Sequence, residues 1–130
     1  MVSKNLKVLL FVESRYKVNR KRIRSTIAQV LSANSVNSPV EVSVAIVGDR
    51  KMRELSRKYK GEDKTRNILS FSLSEGEKME VPAGVIRLGD IVISYPIVLL
   101  EASRDDMLVD DKVDELVAHG MNHLLGNHHE

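Results

Sequence analysis

The last 12 residues hold all four histidines of this 130-residue chain. His119 and His123 are four residues apart, so a helix places them on one face, about 40° apart around its axis. Gly126 predicts the end of that helix, because glycine readily adopts the left-handed conformation that terminates helices. The chain can then turn and bring His128 or His129 back toward the first pair. This run therefore predicts a helix that ends near Gly126, followed by a turn that brings a third histidine close to the first two.

Three imidazole nitrogens with one open coordination position are the arrangement expected of a catalytic zinc, since structural zinc sites usually close all four positions and use cysteine. The spacing is similar to the metallopeptidase motif H-E-x-x-H, in which the glutamate acts as general base. Gly120 takes that position here, so a peptidase would lack its base while the ligands remain. The alternative is ordinary core or surface histidines, with the terminal His-His an expression scar.

Charge is unevenly distributed along the chain, although the net charge is only +2. Residues 1–70 contain 16 Lys and Arg against 6 Asp and Glu, whereas residues 71–130 contain 4 against 12. A basic half favours an anionic partner such as nucleic acid. The alternative is that these charges lie on solvated helix faces and pair with the acidic half. Three tyrosines and two phenylalanines argue against base stacking on aromatic platforms.

The absence of cysteine excludes disulfides and thiolate ligands, which fits a reducing compartment. No apolar run approaches the roughly 20 residues that cross a bilayer. We therefore expect a cytoplasmic protein.

Apolar and β-branched runs predict strands at Leu6–Val12, Val40–Val47, 68–73 and 84–94. The last run has Gly89-Asp90 at its centre and predicts either one strand or a hairpin. Residues 74–82 predict a mobile loop.

Four segments predict helices. The first follows Asn19 as N-cap and ends near residue 32, and the second is capped by Asp49 and ends at residue 58 or 59. Pro96 suits the first turn of the third helix, which ends before Asp105. The fourth spans residues 109–125. No repeat or second domain interrupts these elements, so residues 1–130 form one predicted domain.

Three motifs together carry a family resemblance. The C-terminal run His119-Gly120-x-x-His123-Leu124-x-Gly126-x-x-His129 resembles H-G-x-L-H-L-x-G-Y-D-H of the YbeY family of rRNA maturation endoribonucleases. The segment Asn67-Ile68-Leu69-Ser70-Phe71 resembles that family's T-D-V-L-S-F, and the segment starting at Leu88 matches its L-G-D-I-x-I-S. Order and spacing agree over roughly residues 40–130, and three linked motifs are more specific than one short pattern.

The resemblance implies an α+β fold, in which a small mixed β-sheet of about four strands is flanked by helices and the C-terminal helix binds metal. It implies one zinc ion (Zn2+) per chain, bound by His119, His123 and His129. It also implies a role in ribosomal RNA processing, especially at the small-subunit 3′ end, and in ribosome quality control. RNA and the small ribosomal subunit are the implied partners.

One departure from the family pattern concerns a functional arginine, which is Lys60 here, after Tyr59. Lysine keeps the charge but cannot form a bidentate fork to phosphate. Arg57 or Arg66 could compensate. We take Lys60 and Arg66 as candidate catalytic residues that hold phosphate and stabilise the transition state, with Arg57 beside them. The alternative is an ordinary charged loop.

Other polar positions have two possible roles each. His128 stands where the family has aspartate, so an acidic group that could tune the metal is missing there. Asp90 could orient a ligand or water, or belong to a turn beside Gly89. Ser70 is expected to bond backbone rather than act as a nucleophile, because no histidine is near it in sequence.

Taken together with the histidine run, the resemblance implies a zinc-dependent endoribonuclease that acts in rRNA maturation and ribosome quality control. Zinc would lower the pKa of a water molecule toward about 7. Two alternatives stay open: a non-catalytic, ribosome-associated assembly factor with a structural zinc, and a metallopeptidase.

Overall fold

A four-stranded sheet forms the centre of the computed structural model, which describes residues 6–72 and 84–126. Its strands are β1 (Leu6–Val12), β2 (Val40–Val47), β3 (Ile68–Ser72) and β4 (Ile86–Ser94). They lie in the order β1-β2-β4-β3, with β1, β2 and β4 parallel and β3 antiparallel to β4. The sheet is therefore mixed, and the α+β prediction is confirmed.

Within the described residues, four helices flank the sheet: α1 (Arg20–Ala33), α2 (Asp49–Lys60), α3 (Tyr95–Arg104) and α4 (Val109–Leu124). The predicted cap of α1 is confirmed, because the Asn19 side chain accepts a hydrogen bond from the Arg22 amide. The predicted cap of α2 is wrong: Gly48 precedes the helix, and Asp49 lies in the first turn, where its carboxylate bonds Arg53 instead.

The ends of α3 and α4 follow their sequence signals. The Ser94 hydroxyl caps α3, and Pro96 occupies the first turn as expected. Gly126 follows α4 with φ +81, a left-handed conformation that glycine adopts without strain. Among the described residues, no helix combines the length and apolar character needed to cross a membrane.

Alternation along the strands divides the protein into two layers of packing. On β2, Val42, Val44 and Ile46 face a large core, whereas Val47 belongs to a smaller core on the opposite face. Helices α1 and α4 cover the large core, which contains Ile23, Ile27, Ile91, Ile93, Val117 and Met121. Helix α2 covers part of the opposite face, where Met52 packs against Val47, Leu69 and Val92.

Residues 86–94 form one strand, not a hairpin, and Gly89-Asp90 is not a turn. The pairing of β2 with β4 shifts register beside Gly89, whose φ of +144 requires glycine. A Cβ at Gly89 would also lie 2.0 Å from the Phe71 carbonyl oxygen. The strand therefore passes through this dipeptide as an irregularity in the ladder. The loop predicted at 74–82 lies outside the described residues.

Candidate active site

The C-terminal half of α4 carries the two motif histidines. His119 is exposed and His123 is half-buried, one turn further along the helix. The apolar stripe of α4 faces the large core through Val113, Val117 and Met121, so the two histidines lie beside it rather than within it. The predicted helical pair is therefore present at the surface of the sheet–helix layer.

Ser70 on β3 contacts the second of these histidines. Its Oγ lies 2.6 Å from Nδ1 of His123, although the two residues are separated by 53 positions in the chain. The expectation that Ser70 bonds backbone is therefore wrong. That expectation rested on the lack of a histidine near Ser70 in the sequence. The packing of α4 on β3 nevertheless brings His123 to the serine.

Gly120 explains how α4 comes so close to the sheet. This residue is buried, and a Cβ there would lie 3.0–3.1 Å from three side-chain atoms of Ile91 on β4. Such a distance is shorter than ordinary van der Waals contact. The position equivalent to the metallopeptidase glutamate therefore faces the core, and a functional base could not be placed there without displacing the helix.

The three candidate phosphate-binding cations differ in their surroundings. Arg57 lies 3.0 Å from Asp63, and Arg66 is paired with Glu62. Lys60, the exposed last residue of α2, forms no ion pair with any residue in the described part of the chain. The charge of Lys60 is therefore the most available of the three.

Lys60 is connected to the edge of the sheet through its neighbour. The Tyr59 ring packs against the Phe71 ring with centroids 4.9 Å apart, and Phe71 follows Ser70 on β3. Successive strand side chains point to opposite faces. The C-terminal ends of α2 and α4 thus approach β3 from its two faces.

Asp90 belongs to a separate polar network on the α2 side of the sheet. Its carboxylate accepts a hydrogen bond from the Ser43 hydroxyl and another, of 3.0 Å, from Arg87, which also binds Glu41 at 2.8 Å. Its neighbour Ile91 faces α4 on the other side. The turn role considered for Asp90 is wrong, and within the described residues the network does not include His119 or His123.

The basic and acidic halves of the chain pair in part. Arg22 of α1 lies 2.6 Å from both Asp111 and Asp114 of α4. These carboxylates raise the pKa of the Arg22 guanidinium, with the Asp111 hydrogen bond as the largest cause. Part of the basic excess thus stabilises the packing of two helices instead of facing a partner.

The donor set fits a zinc ion as far as the structure describes it. Two imidazoles at helical spacing supply nitrogen donors of the kind that zinc binds. Because Ser70 holds Nδ1 of His123, that ring would bind metal through Nε2, as is usual where the other nitrogen is hydrogen-bonded. Residues 6–72 and 84–126 contain no cluster of three possible ligands. His128 and the predicted third ligand, His129, lie outside the described residues.

Comparison with known proteins agrees with this arrangement. A sequence model of the family described as "Endoribonuclease YbeY" matches residues 10–130. The chain belongs to this family. It is 36% identical over 118 residues to Endoribonuclease YbeY of Syntrophus aciditrophicus, covering 91% of this chain and 72% of that protein. Against the protein of the same name from Aquifex aeolicus the identity is 36% over 124 residues, covering 95% and 78%.

Some relatives are covered to a smaller extent by this chain. The match to Endoribonuclease YbeY of an Anaeromyxobacter species is 37% identical and covers 85% of this chain but only 54% of that protein. A solution structure of a Thermotoga maritima protein superposes with a TM-score of 0.59 and 22% identity, covering 96% of this chain and 75% of that one. At this identity the likeness supports the fold alone.

Proposed function

We propose that this chain is a zinc-dependent endoribonuclease, a single domain that cleaves ribosomal RNA during maturation of the small ribosomal subunit in the cytoplasm. Membership of the YbeY endoribonuclease family supports the reaction class. The observation that carries the proposal is the helical pair His119 and His123, the second of which is hydrogen-bonded by Ser70. His129 is the proposed third ligand, by family spacing, and the expected stoichiometry is about one zinc per chain.

The proposed roles follow from the chemistry of the side chains. Bound zinc would supply Lewis acidity that activates water near neutral pH and stabilises charge developing on the phosphodiester. Lys60 is the first candidate for a phosphate contact, because its charge is exposed and has no acidic partner in the described part of the chain. Arg66 could contribute only by exchanging its contact with Glu62 for phosphate. Both would act by electrostatic stabilisation.

A metallopeptidase is a poor match to this site. Its general base would stand at Gly120, which is packed against Ile91. The remaining alternative is a non-catalytic assembly factor in which zinc only stabilises the C-terminal segment. Lys60 in place of the family's arginine favours that alternative, because the bidentate phosphate contact is lost.

Metal analysis combined with RNA cleavage tests the proposal. Protein purified without chelator should contain about one zinc per chain and cleave structured ribosomal RNA, and His119→Ala should lose both properties. Asn122→Ala is the matched control, because Asn122 lies on the same helix and its side-chain amide donates a hydrogen bond to the Ala118 carbonyl of that helix. The control should keep both properties.

Two results would contradict the proposal. A native protein that contains no transition metal would exclude the zinc site. Zinc-loaded protein that binds the small subunit but does not cleave its RNA would favour the assembly factor.

A further inference from the structure

Ser70 occupies a fixed place on the strand that faces α4. Leu69 packs in the smaller core beneath α2, and Phe71 packs against that core as well. Since side chains alternate along a strand, Ser70 must point to the other face, toward α4. There its Oγ is 2.6 Å from Nδ1 of His123, in a partly buried environment.

The backbone around this contact is held on both sides. Ser70 is paired with Ile91 in the antiparallel ladder of β3 and β4. Ile91 is fully buried, and its side chain supports α4 directly beneath Gly120. Gly120 lies three residues before His123, so it is within one turn of it. The serine and the histidine are therefore attached to elements in direct contact, which limits how far either can move.

We propose that Ser70 is a positioning residue for the metal centre: its hydroxyl oxygen accepts a hydrogen bond from Nδ1–H of His123 and holds the ring with Nε2 toward the metal. The proposal rests on the zinc site of the proposed function. A histidine ligand whose second nitrogen donates a hydrogen bond has a defined tautomer and ring orientation, and loss of such a partner typically weakens metal binding by about 10–100-fold.

A nucleophilic role for Ser70 fits the geometry less well. In a serine nucleophile the histidine accepts the hydroxyl proton and a third group orients the other ring nitrogen. Here the other nitrogen of His123 belongs to the proposed metal site, and a metal-bound imidazole cannot also act as that base. The hydroxyl is therefore assigned as the acceptor.

Ser70→Ala and Ser70→Thr test this role, with Ser56→Ala as the matched control. Ser56 is a fully buried serine whose Oγ has no hydrogen-bond partner in the described part of the chain, whereas Ser70 is partly buried. Zinc affinity is measured by competition with a chromophoric chelator, and the tautomer of His123 by nitrogen-15 NMR of the zinc-free protein with the imidazole neutral. Urea unfolding of each variant reports whether the fold is retained.

We expect Ser70→Ala to bind zinc about 10–100-fold more weakly and to lose the preference for the Nδ1-protonated tautomer. Ser70→Thr keeps the hydroxyl and should restore both, whereas Ser56→Ala should resemble the native protein. Native zinc affinity and an unchanged tautomer in folded Ser70→Ala would overturn the inference. If Ser70→Ala does not fold, a Ser70→Thr protein that folds with the native tautomer supports it, and one with a mixed tautomer overturns it.

The two proposals can fail separately. A native protein that binds no zinc would refute the metal site of the proposed function. The tautomer measurement does not need metal, so a native Nδ1-protonated His123 would still support the role of Ser70 in holding the ring.

Discussion

Along α4, acidic and basic side chains of residues 109–117 form ion pairs with neighbouring elements, whereas residues 118–124 carry the motif histidines. In the first half, Asp111 and Asp114 bind Arg22 of α1, and Lys112 lies 2.8 Å from Asp105 and 2.6 Å from Glu115. In the second half, Ser70 Oγ lies 2.6 Å from Nδ1 of His123, and the Asn122 side-chain amide donates a hydrogen bond to the Ala118 carbonyl within the helix.

This difference shows how one helix can serve both stability and chemistry. Ion pairs in the first half involve charges that a ligand could reach only by breaking them. In the second half, close packing at Gly120 sets the position of the helix, so polar side chains need not do so. The histidines there can then present nitrogen donors, with one ring held by a neutral hydroxyl.

The largest expected effect concerns His129, the predicted third zinc ligand, which follows α4 in the sequence. His129→Ala should lower zinc affinity sharply, because family spacing predicts that His129 is a direct ligand. His128→Ala should have a milder effect, no more than about the 10–100-fold loss typical of residues that only support ligands. Zinc titration of both variants by chelator competition measures the difference. If His128→Ala loses the metal and His129→Ala keeps it, the family spacing does not apply at this position.

The next effect concerns the packing that holds the second half in place. Gly120→Ala should destabilise the protein by about 1 kcal/mol, because overpacking costs roughly 1–3 kcal/mol and the gain in helix propensity returns about 1 kcal/mol. Urea unfolding measures this change. The variant should also weaken zinc binding, since the displaced helix carries both histidines.

Ile91→Val provides the control for that prediction, because it removes Cδ1, the atom closest to the added Cβ at 3.0 Å. The double variant of Ile91→Val and Gly120→Ala should lose less free energy of unfolding than the sum of the losses in the two single variants. Additive costs would mean that this contact does not set the position of α4.

Local sequence patterns were sufficient for much of the fold. The predicted bounds of β1 and β2 coincide with the structure, because β1 is a short apolar run with β-branched residues and β2 alternates apolar with smaller or polar residues. The predicted last helix differs from α4 by one residue, at Leu125. The helical spacing of His119 and His123 likewise depends only on local geometry, so the placement of these two histidines on one helix was predictable from the motif.

Contacts between distant segments were not predictable in this way. Ser70 meets His123 only because β3 pairs antiparallel with β4 and α4 packs on both strands, and no local pattern encodes that register. Gly89-Asp90 has the composition of a turn, yet the dipeptide lies within a strand because it pairs with β2 on one side and β3 on the other. A glycine between two β-branched runs is a signal for an irregular strand as well as for a turn.

Three cations outside α4 also differ in whether they form ion pairs within the described residues: Arg57 and Arg66 do, and Lys60 does not. If Lys60 contacts phosphate, Lys60→Ala should weaken RNA binding and reduce the slope of log K against log salt by about 0.7, the value for one contact to a single strand. Changing Arg57 or Arg66 alone should alter the slope less, because these side chains are paired with Asp63 and Glu62. Filter binding over a range of salt concentrations measures the slopes.

Replacing Arg57 and Arg66 by alanine as well gives a triple alanine variant of Lys60, Arg57 and Arg66. An unchanged slope in that variant would place all three cations on a solvated face. A larger change for either arginine than for Lys60 would mean that RNA displaces their ion pairs.

The smallest expected effect concerns the ion pairs beside the first half of α4. The guanidinium of Arg104, and next the ammonium of Lys112, hold the pKa of the Asp105 carboxyl well below its ordinary value of 3.8. A carboxyl with a depressed folded-state pKa contributes stability above its unfolded-state pKa, and this contribution is lost as the pH falls toward the folded-state value. Asp105→Asn should therefore slightly lower the urea midpoint at neutral pH, and the difference from the native protein should shrink as the pH falls below about 4. High salt should reduce the difference as well, because Asp105 is exposed.

Zinc affinity should not change in Asp105→Asn, since the ion pairs of Asp105 lie at the opposite end of α4 from the histidines. A difference in urea midpoint that persists unchanged at low pH would show that Asp105 acts through the cap of α3 and not through its charge, and a loss of zinc would show that the two halves of α4 are coupled.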